Sequence, residues 1–344
     1  MKHSLPLQMV VSDIDGVLKS GLEALATHGI ETGSRAGGTT EVVGARFVIT
    51  DPVQRGIRNP HRKHSDIAQL AETLWVLAGS NDITWMSRFL PRAPDFSDDG
   101  ITWRAAYGDR LRHWPISMQQ YQEALSNNNF EGVNQDKDGC YVDQLLAVVS
   151  ELRKTIGTRQ AVMTIWDPAR ELTAVGATKD MPCNDLIQFL VRDNKLHMHV
   201  YVRSNDLIWG LTGINYFEFS VLQELVASWI GVDVGNYIHS AMSLHMYSRH
   251  YEAATKMLSW YQGERPEPSD LGLYYQHYPI SSGNMDSDLS VISVLFKLIG
   301  EAASKDPESL NNLNSYHNIA KNGDSSRLIT FFNPLIHHVL YSTK

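Results

Sequence analysis

Cysteine is scarce: Cys140 and Cys183 are the two in a chain of 344 residues. Two cysteines build no disulfide framework, which points to a reducing compartment, with the cytoplasm as default. Long apolar runs are missing as well. No stretch of about 18 apolar residues occurs, so no membrane-spanning helix is expected. The opening MKHSLPLQMVVSDIDGVLKS has a short apolar stretch interrupted by aspartates, a poor signal peptide. Positive charge is in deficit, with 30 Lys and Arg against 38 Asp and Glu and a net charge of -8. Non-specific binding along a phosphate backbone needs a basic surface and is not expected, whereas a few local arginines suffice for a small anion. Internal repeats are absent. What remains is 43% hydrophobic and 20% charged, a globular chain long enough for one large domain or two ordinary ones.

The pattern along the chain mixes both kinds of element. SDIAQLAETLWVLAG (65–79) has apolar positions at helical spacing, with Ser65 as N-cap and Gly79 at the end. Strands are expected at TTEVVGARFVIT (39–50), QAVMTIW (160–166), DLIQFLV (185–191), KLHMHVYVR (195–203) and NYIHSAMSLHMYS (236–248). DNK (193–195) reads as a hairpin turn between two of them. KLHMHVYVR alternates with period two, so one face is buried. YFEFSVLQELVASWIG (216–231) reads as a buried helix ending at Gly231. SNNNFEGVNQDKDGC (126–140) is polar and expected to be a surface loop. Residues 263–288 are rich in Pro, Gly and Asp and expected to be irregular. Two helical patterns follow, SVISVLFKLIGEAAS and RLITFFNPLIHHVLY. The expected architecture is an α+β core over residues 1–262, then a loop and helical C-terminal extension over 263–344.

One motif is a decoy. MVVSDIDGVLKSG, Met9 to Gly21, mimics the aspartate loop of haloacid-dehalogenase-type phosphatases. That chemistry needs the loop to open a long doubly wound domain. Here a Gly-rich turn and an antiparallel-looking strand follow within about 25 residues, so the segment reads as an N-terminal helix.

Several polar residues sit where a plain core would not hold them. Arg35 lies in the Gly-rich GSRAGGTT. Glu72 lies among Leu70, Leu74 and Trp75 on its helix. Arg203, Ser204, Asn205 and Asp206 end the alternating strand, and His245 and Tyr247 share one face of another. Each has a bland reading: buried filler for a lone Cys, a helix edge for the Glu, solvent or a carboxylate for an Arg at a strand end. Together, arginines, one cysteine, an inward glutamate and a His-x-Tyr pair suit a small anionic substrate attacked by a thiolate. The guanidinium fork matches phosphate, and a nearby cation favours the thiolate.

In their order, RSND, the Pro-Cys before a strand, LHMYSRH and AETLWVLAG resemble the thymidylate synthase and pyrimidine-nucleotide hydroxymethylase superfamily, over about residues 29 to 255. The resemblance implies a mixed sheet with flanking helices, dimerising sheet to sheet. It implies a cysteine thiolate that adds to carbon 6 of a pyrimidine nucleoside 5′-monophosphate. Carbon 5 then attacks 5,10-methylenetetrahydrofolate. By this resemblance Cys183 is the nucleophile and Glu72 organises water and proton transfers. Tyr107, in AAYGDRLR, is the tyrosine of the family's YG motif. Arg35, Arg203 and Ser204 hold phosphate. Arg159 reaches the phosphate of the other subunit of a homodimer. Asp206 stands at the folate–nucleotide boundary, and His245 with Tyr247 binds the sugar hydroxyl. The base reader is Asn215 if one residue is inserted after RSND; without a gap the position is Ile214. An Asn reads uracil with its carbonyl on the ring N–H and its amide on the exocyclic oxygen; flipped, it complements cytosine.

Departures from the family pattern bear on the product. Gln160 stands where the synthases have a second arginine, and Asn184 where a histidine follows the cysteine. The tryptophan against the one-carbon unit has no counterpart among Ala93, Pro94 and Asp95, and the C-terminal lid is not recognisable. A closed, dry site favours hydride transfer and a methyl product; a more open one lets water add to give hydroxymethyl. A nucleotide 5-hydroxymethylase is therefore expected ahead of a divergent thymidylate synthase, with base and sugar open. A non-catalytic nucleotide or RNA binder would need neither thiol nor buried acid, and the net charge opposes RNA. His197, His199, His245 and His250 are numerous enough to raise a metal site, but no second cluster completes one, so no metal is expected.

Overall fold

The computed structural model describes residues 7–34, 37–127, 131–263, 279–302, 305–322 and 326–341. In chain order the strands are β1 (Leu7–Val11), β2 (Ile30–Ser34), β3 (Gly37–Ile49), β4 (Trp114–Ile116), β5 (Val133–Asp136), β6 (Gly139–Val142), β7 (Val162–Thr164), β8 (Asn184–Arg192), β9 (Lys195–Asp206) and β10 (Asp233–Tyr247). The helices are α1 (Ile14–His28), α2 (Asp66–Leu77), α3 (Ile83–Met86), α4 (Tyr107–Arg112), α5 (Met118–Ser126), α6 (Gln144–Lys154), α7 (Pro168–Glu171), α8 (Tyr216–Ile230), α9 (Tyr251–Gln262), α10 (Met285–Ala302), α11 (Pro307–Lys321) and α12 (Arg327–Tyr341). They form two compact units, neither continuous in sequence. The first comprises Met1–Ser65, Cys183–Gln223 and Asp233–Tyr278; the second comprises Asp66–Pro182, Glu224–Val232 and Pro279–Lys344.

The first unit is built on a mixed sheet in the order β1-β3-β10-β9-β8, with β2 paired to β3. β1 runs parallel to β3 and β10 parallel to β9, while β3–β10 and β9–β8 are antiparallel. The alternation of KLHMHVYVR sends Leu196, Met198, Val200 and Val202 into the core. Phe47 and Ile49 of β3 and Ile187 and Phe189 of β8 join them. Asp193 and Asn194 both take left-handed conformations, φ 51° and 59°, and close the β8–β9 hairpin where expected.

The N-terminal motif contains the expected helix, preceded by an unexpected strand that pairs with the edge of β3. Its aspartates serve packing. Asp13 caps α1, accepting from Gly16 N at 2.9 Å, and pairs with Arg58 at 2.9 Å. Asp15 accepts from Tyr261 Oη at 2.9 Å and from Arg58 N at 2.9 Å. Both carboxylates are occupied, so the phosphatase-like chemistry has no free acid here.

The second unit surrounds α2, whose Leu70, Leu74 and Trp75 are buried. Helices α10 and α12 pack on α2, and α11 packs on both of them. Trp85 stacks on Phe296 with ring centroids 4.8 Å apart, and Trp229 Nε1 donates to Asp288 Oδ2 at 2.9 Å. The C-terminal helices are thus part of this unit's core. Three sequence expectations are corrected. Residues 126–140 are no mere loop: β5 and β6 pair there as a hairpin beside β4, because Gly139 and the Asp136 turn permit it and Cys140 buries inward. The 160–166 strand shortens to β7. A third C-terminal helix, α11, is capped by Asp306, which accepts from Ser309 N at 2.7 Å, with Pro307 in its first turn. The chain between 264 and 278, within the stretch expected to be irregular, lies outside the described residues. No described helix is long and apolar enough to cross a membrane.

Candidate active site

In the first unit the candidates gather where β9 and β10, parallel strands, both end. Open sheets place ligands at the C-terminal ends of parallel strands. Cys183 is half-buried, immediately before β8. Arg203 on the neighbouring β9 donates its backbone N–H to Cys183 O at 3.0 Å, and its guanidinium Nη2 lies 3.8 Å from Cys183 Sγ. The hairpin therefore sets thiol and cation side by side. A cation at that distance favours the thiolate. Cys140, by contrast, is buried in the small sheet of the second unit, the bland role.

Ser204 is half-buried and stands opposite Ser243 in the β9–β10 register, and Asp206 stands opposite His245. Asp206 accepts from Ile208 N at 3.0 Å and Trp209 N at 3.2 Å, capping the segment that follows. His245 and Tyr247 meet edge to face, with centroids 5.2 Å apart. Burial first of all pushes the His245 imidazole down, against the charges of Asp206 and Glu41. Burial also pushes the Tyr247 phenol up; Asp206 adds to this, and Cys183 is near enough to add as well. Arg249 lies over the Tyr247 ring at 4.1 Å. Sequence reasoning did not assign Arg249, although it stands in the quoted LHMYSRH.

After RSND the chain forms a π-helix, Leu207–Asn215. Its closing bond runs from Tyr216 N to Leu211 O, five residues back. A π turn holds one residue more than an α turn. Asn215 and Ile214, the two candidate base readers, both lie on this turn and are both buried. Buried Arg62 braces this segment, donating to the Ile208 and Thr212 carbonyls. No pattern in IRNPHRKHS marks it. Asn184, in place of the family histidine, is fully buried, and neither amide atom has a hydrogen-bond partner among the described residues.

The second unit carries the remaining described candidates. Glu72 is half-buried on α2, and desolvation pushes its carboxyl up to about 8. Tyr107 opens α4. Gly108 follows it because α4 lies directly on α2: a Cβ there would stand 2.6 Å from Val76 O. Arg159 is exposed, in the connection between α6 and β7, and Gln160 beside it is exposed too. Glu171, which sequence reasoning passed over, is fully buried between Arg104 at 2.5 Å and Arg110 at 2.6 Å. Arg35 lies outside the described residues. The histidine alternative finds other uses for its rings. His197 Nδ1 accepts from Asn236 N at 3.1 Å, and His199 Nε2 bonds Ser240 Oγ at 2.8 Å. Among the described residues no group of three or more His, Cys, Asp or Glu is placed to hold a metal ion.

The thiol beside a guanidinium and the His-x-Tyr pair thus stand together at the ends of parallel strands in a mixed α+β sheet. Comparison with known proteins gives the family. The thymidylate synthase family profile matches residues 21–273. The chain is 35% identical over 252 residues to the deoxyuridylate hydroxymethyltransferase of Bacillus phage SP01, covering 73% of this chain and 59% of that protein. It is 33% identical over 249 residues to the protein of that name from Delftia phage PhiW-14, covering 69% and 62%. To that from Pseudomonas phage M6 it is 30% identical over 284 residues, covering 78% and 71%. The chain thus spans about six tenths of the length of the first two relatives. It belongs to the thymidylate synthase family.

Proposed function

We propose that this chain transfers a one-carbon unit from 5,10-methylenetetrahydrofolate to carbon 5 of deoxyuridine 5′-monophosphate and leaves a hydroxymethyl group. The observation that carries the reading is the guanidinium of Arg203 3.8 Å from the thiol of Cys183, within the family's motif order. The relatives' names supply the deoxyuridylate base and sugar and the hydroxymethyl product.

The residues fit such substrates. The Cys183 thiolate adds to carbon 6 of the pyrimidine, and carbon 5 gains nucleophilic character. Carbon 5 attacks the folate's one-carbon unit, then loses its proton as tetrahydrofolate leaves, which forms an exocyclic methylene; water adds to that methylene, and expulsion of the thiolate from carbon 6 restores the ring. Arg35, Arg203 and Ser204 take the phosphate. His245 and Tyr247 take the 3′-hydroxyl, and Asp206 borders the folate. Glu72, with a carboxyl that titrates near neutrality, handles protons and water, with Tyr107 of the YG motif in the same reaction. Asn215 reads the base.

The working form in this reading is a homodimer, with the open face of the β3–β10–β9–β8 sheet as its interface and Arg159 serving the partner's phosphate. A reducing compartment, the cytoplasm, suits the thiolate.

The test uses nucleotide carrying tritium at carbon 5. Release of tritium to water that requires both methylenetetrahydrofolate and Cys183 supports the reading. No release from dUMP, dCMP, UMP or CMP overturns it and returns Cys183 to a packing role.

A further inference from the structure

Five side chains of the first unit form a buried polar line beside the site. Tyr237 Oη lies 3.3 Å from His239 Nδ1, and His239 Nε2 lies 3.0 Å from Asn205 Oδ1. Asn205 Nδ2 lies 3.2 Å from Asn215 Oδ1, and Asn215 Nδ2 lies 3.0 Å from Glu218 Oε1. Tyr237 and His239 are fully buried, Asn205 and Glu218 are 2% exposed, and Asn215 retains 8%.

The donor chemistry gives this line a direction. Asn215 Nδ2 donates to Glu218 Oε1, the partner an ionised carboxylate requires, and this leaves the Asn215 carbonyl facing Asn205. Asn205 must then donate its own nitrogen, which turns its carbonyl to His239. His239 is neutral, because burial pushes its imidazole down to about 3. It carries its proton on Nε2, donates to Asn205, and accepts from Tyr237 on Nδ1. Every donor points toward Glu218, and bonds aligned in this way reinforce one another. Gly210 presses the arrangement together. A Cβ there would stand 2.5 Å from Asn205 Nδ2 and 3.1 Å from Asn215 Oδ1.

We infer that Glu218 is a specificity-determining positioning residue: through this one-way line it holds the Asn215 amide in the orientation that reads uracil and withholds the flipped orientation that cytosine requires. The inference rests on the proposed function above. It goes further in assigning base choice to residues joined to the reader by hydrogen bonds.

The test is a pair of variants of the full chain, assayed for tritium release from dUMP and dCMP and checked for cooperative melting. Glu218→Gln offers the Asn215 amide either a donor or an acceptor. The ratio of kcat/KM for dUMP over dCMP is expected to fall by about tenfold or more. Glu218→Gln with Asn205→Asp puts the acceptor-only group on the other side and reverses the line. Its ratio is expected to move further, toward dCMP. A merely structural role lowers both substrates together, so an unchanged ratio in folded variants overturns the inference. Wild-type protein that turns over no nucleotide overturns the proposed function instead. Neutron diffraction from wild-type crystals reads the amide without any variant. Deuterons of Asn215 directed at Asn205, away from Glu218, overturn the inference whatever the activity.

Discussion

Cys183 and Arg203 lie side by side because a hairpin sets them there, and the proposed chemistry rests on both. Cys183→Ser is expected to lower turnover by about a thousandfold or more while nucleotide still binds, measured by tritium release and by calorimetry. Arg203→Lys keeps the charge and loses the planar fork, so KM for nucleotide should rise by about tenfold. Unchanged KM would mean that Arg203 does not meet phosphate. Glu72 gives a pH signature. Its carboxyl is protonated below about 8 and ionised above. Its folded value lies above the unfolded one, so the stability it allows is full in acid and is lost as pH rises through about 8. Glu72→Gln should flatten that limb in denaturation series from pH 6 to 9, and an unchanged limb would contradict the assignment. At this scale the sequence was most legible where a residue type is unusual for its place: a rare cysteine, a glutamate on an apolar face, arginines at a strand end. It was least legible in the buried line. His239 and Asn205 sit at ordinary strand positions, Glu218 lies in an apolar helix, and only the fold brings them into contact.

Elements whose signals are local came through the sequence intact. The Asp193–Asn194 turn, the strands β3, β8, β9 and β10 and the helices α2 and α8 are examples, each marked by period or by turn residues. β1 is apolar but only five residues long, and the β5–β6 hairpin lies in a largely polar run, so neither was legible and the pairing partner supplies the stabilisation. The α11 helix was marked by Asp306-Pro307 but has a weak apolar face. The π-helix cannot be seen as a periodicity and was not legible. Close packing of α4 on α2 makes a further prediction. Gly108→Ala drives a Cβ into the Val76 carbonyl and should cost about 1–3 kcal/mol, read from denaturant melts. A neutral result would mean that α4 is free to shift.

At the level of the molecule, Glu171 between Arg104 and Arg110 anchors the second unit. Glu171→Gln leaves buried Arg110 and half-buried Arg104 without their anion and should destabilise by about 3 kcal/mol. A change below about 1 kcal/mol would show the cluster to be dispensable. Helices α10 and α12 cover α2, the helix that bears Glu72, so the C-terminal segment supports a catalytic candidate through packing. The sequence showed only that helices follow; what they cover depends on long-range contacts that no local pattern carries. The proposed reaction is one-carbon transfer ending in a hydroxymethyl group. Its most direct test is mass spectrometry of both products after incubation with methylenetetrahydrofolate and dUMP. The expected products are a nucleotide heavier by the elements of formaldehyde and unoxidised tetrahydrofolate. A nucleotide heavier by one methylene unit, with dihydrofolate beside it, would contradict this reaction.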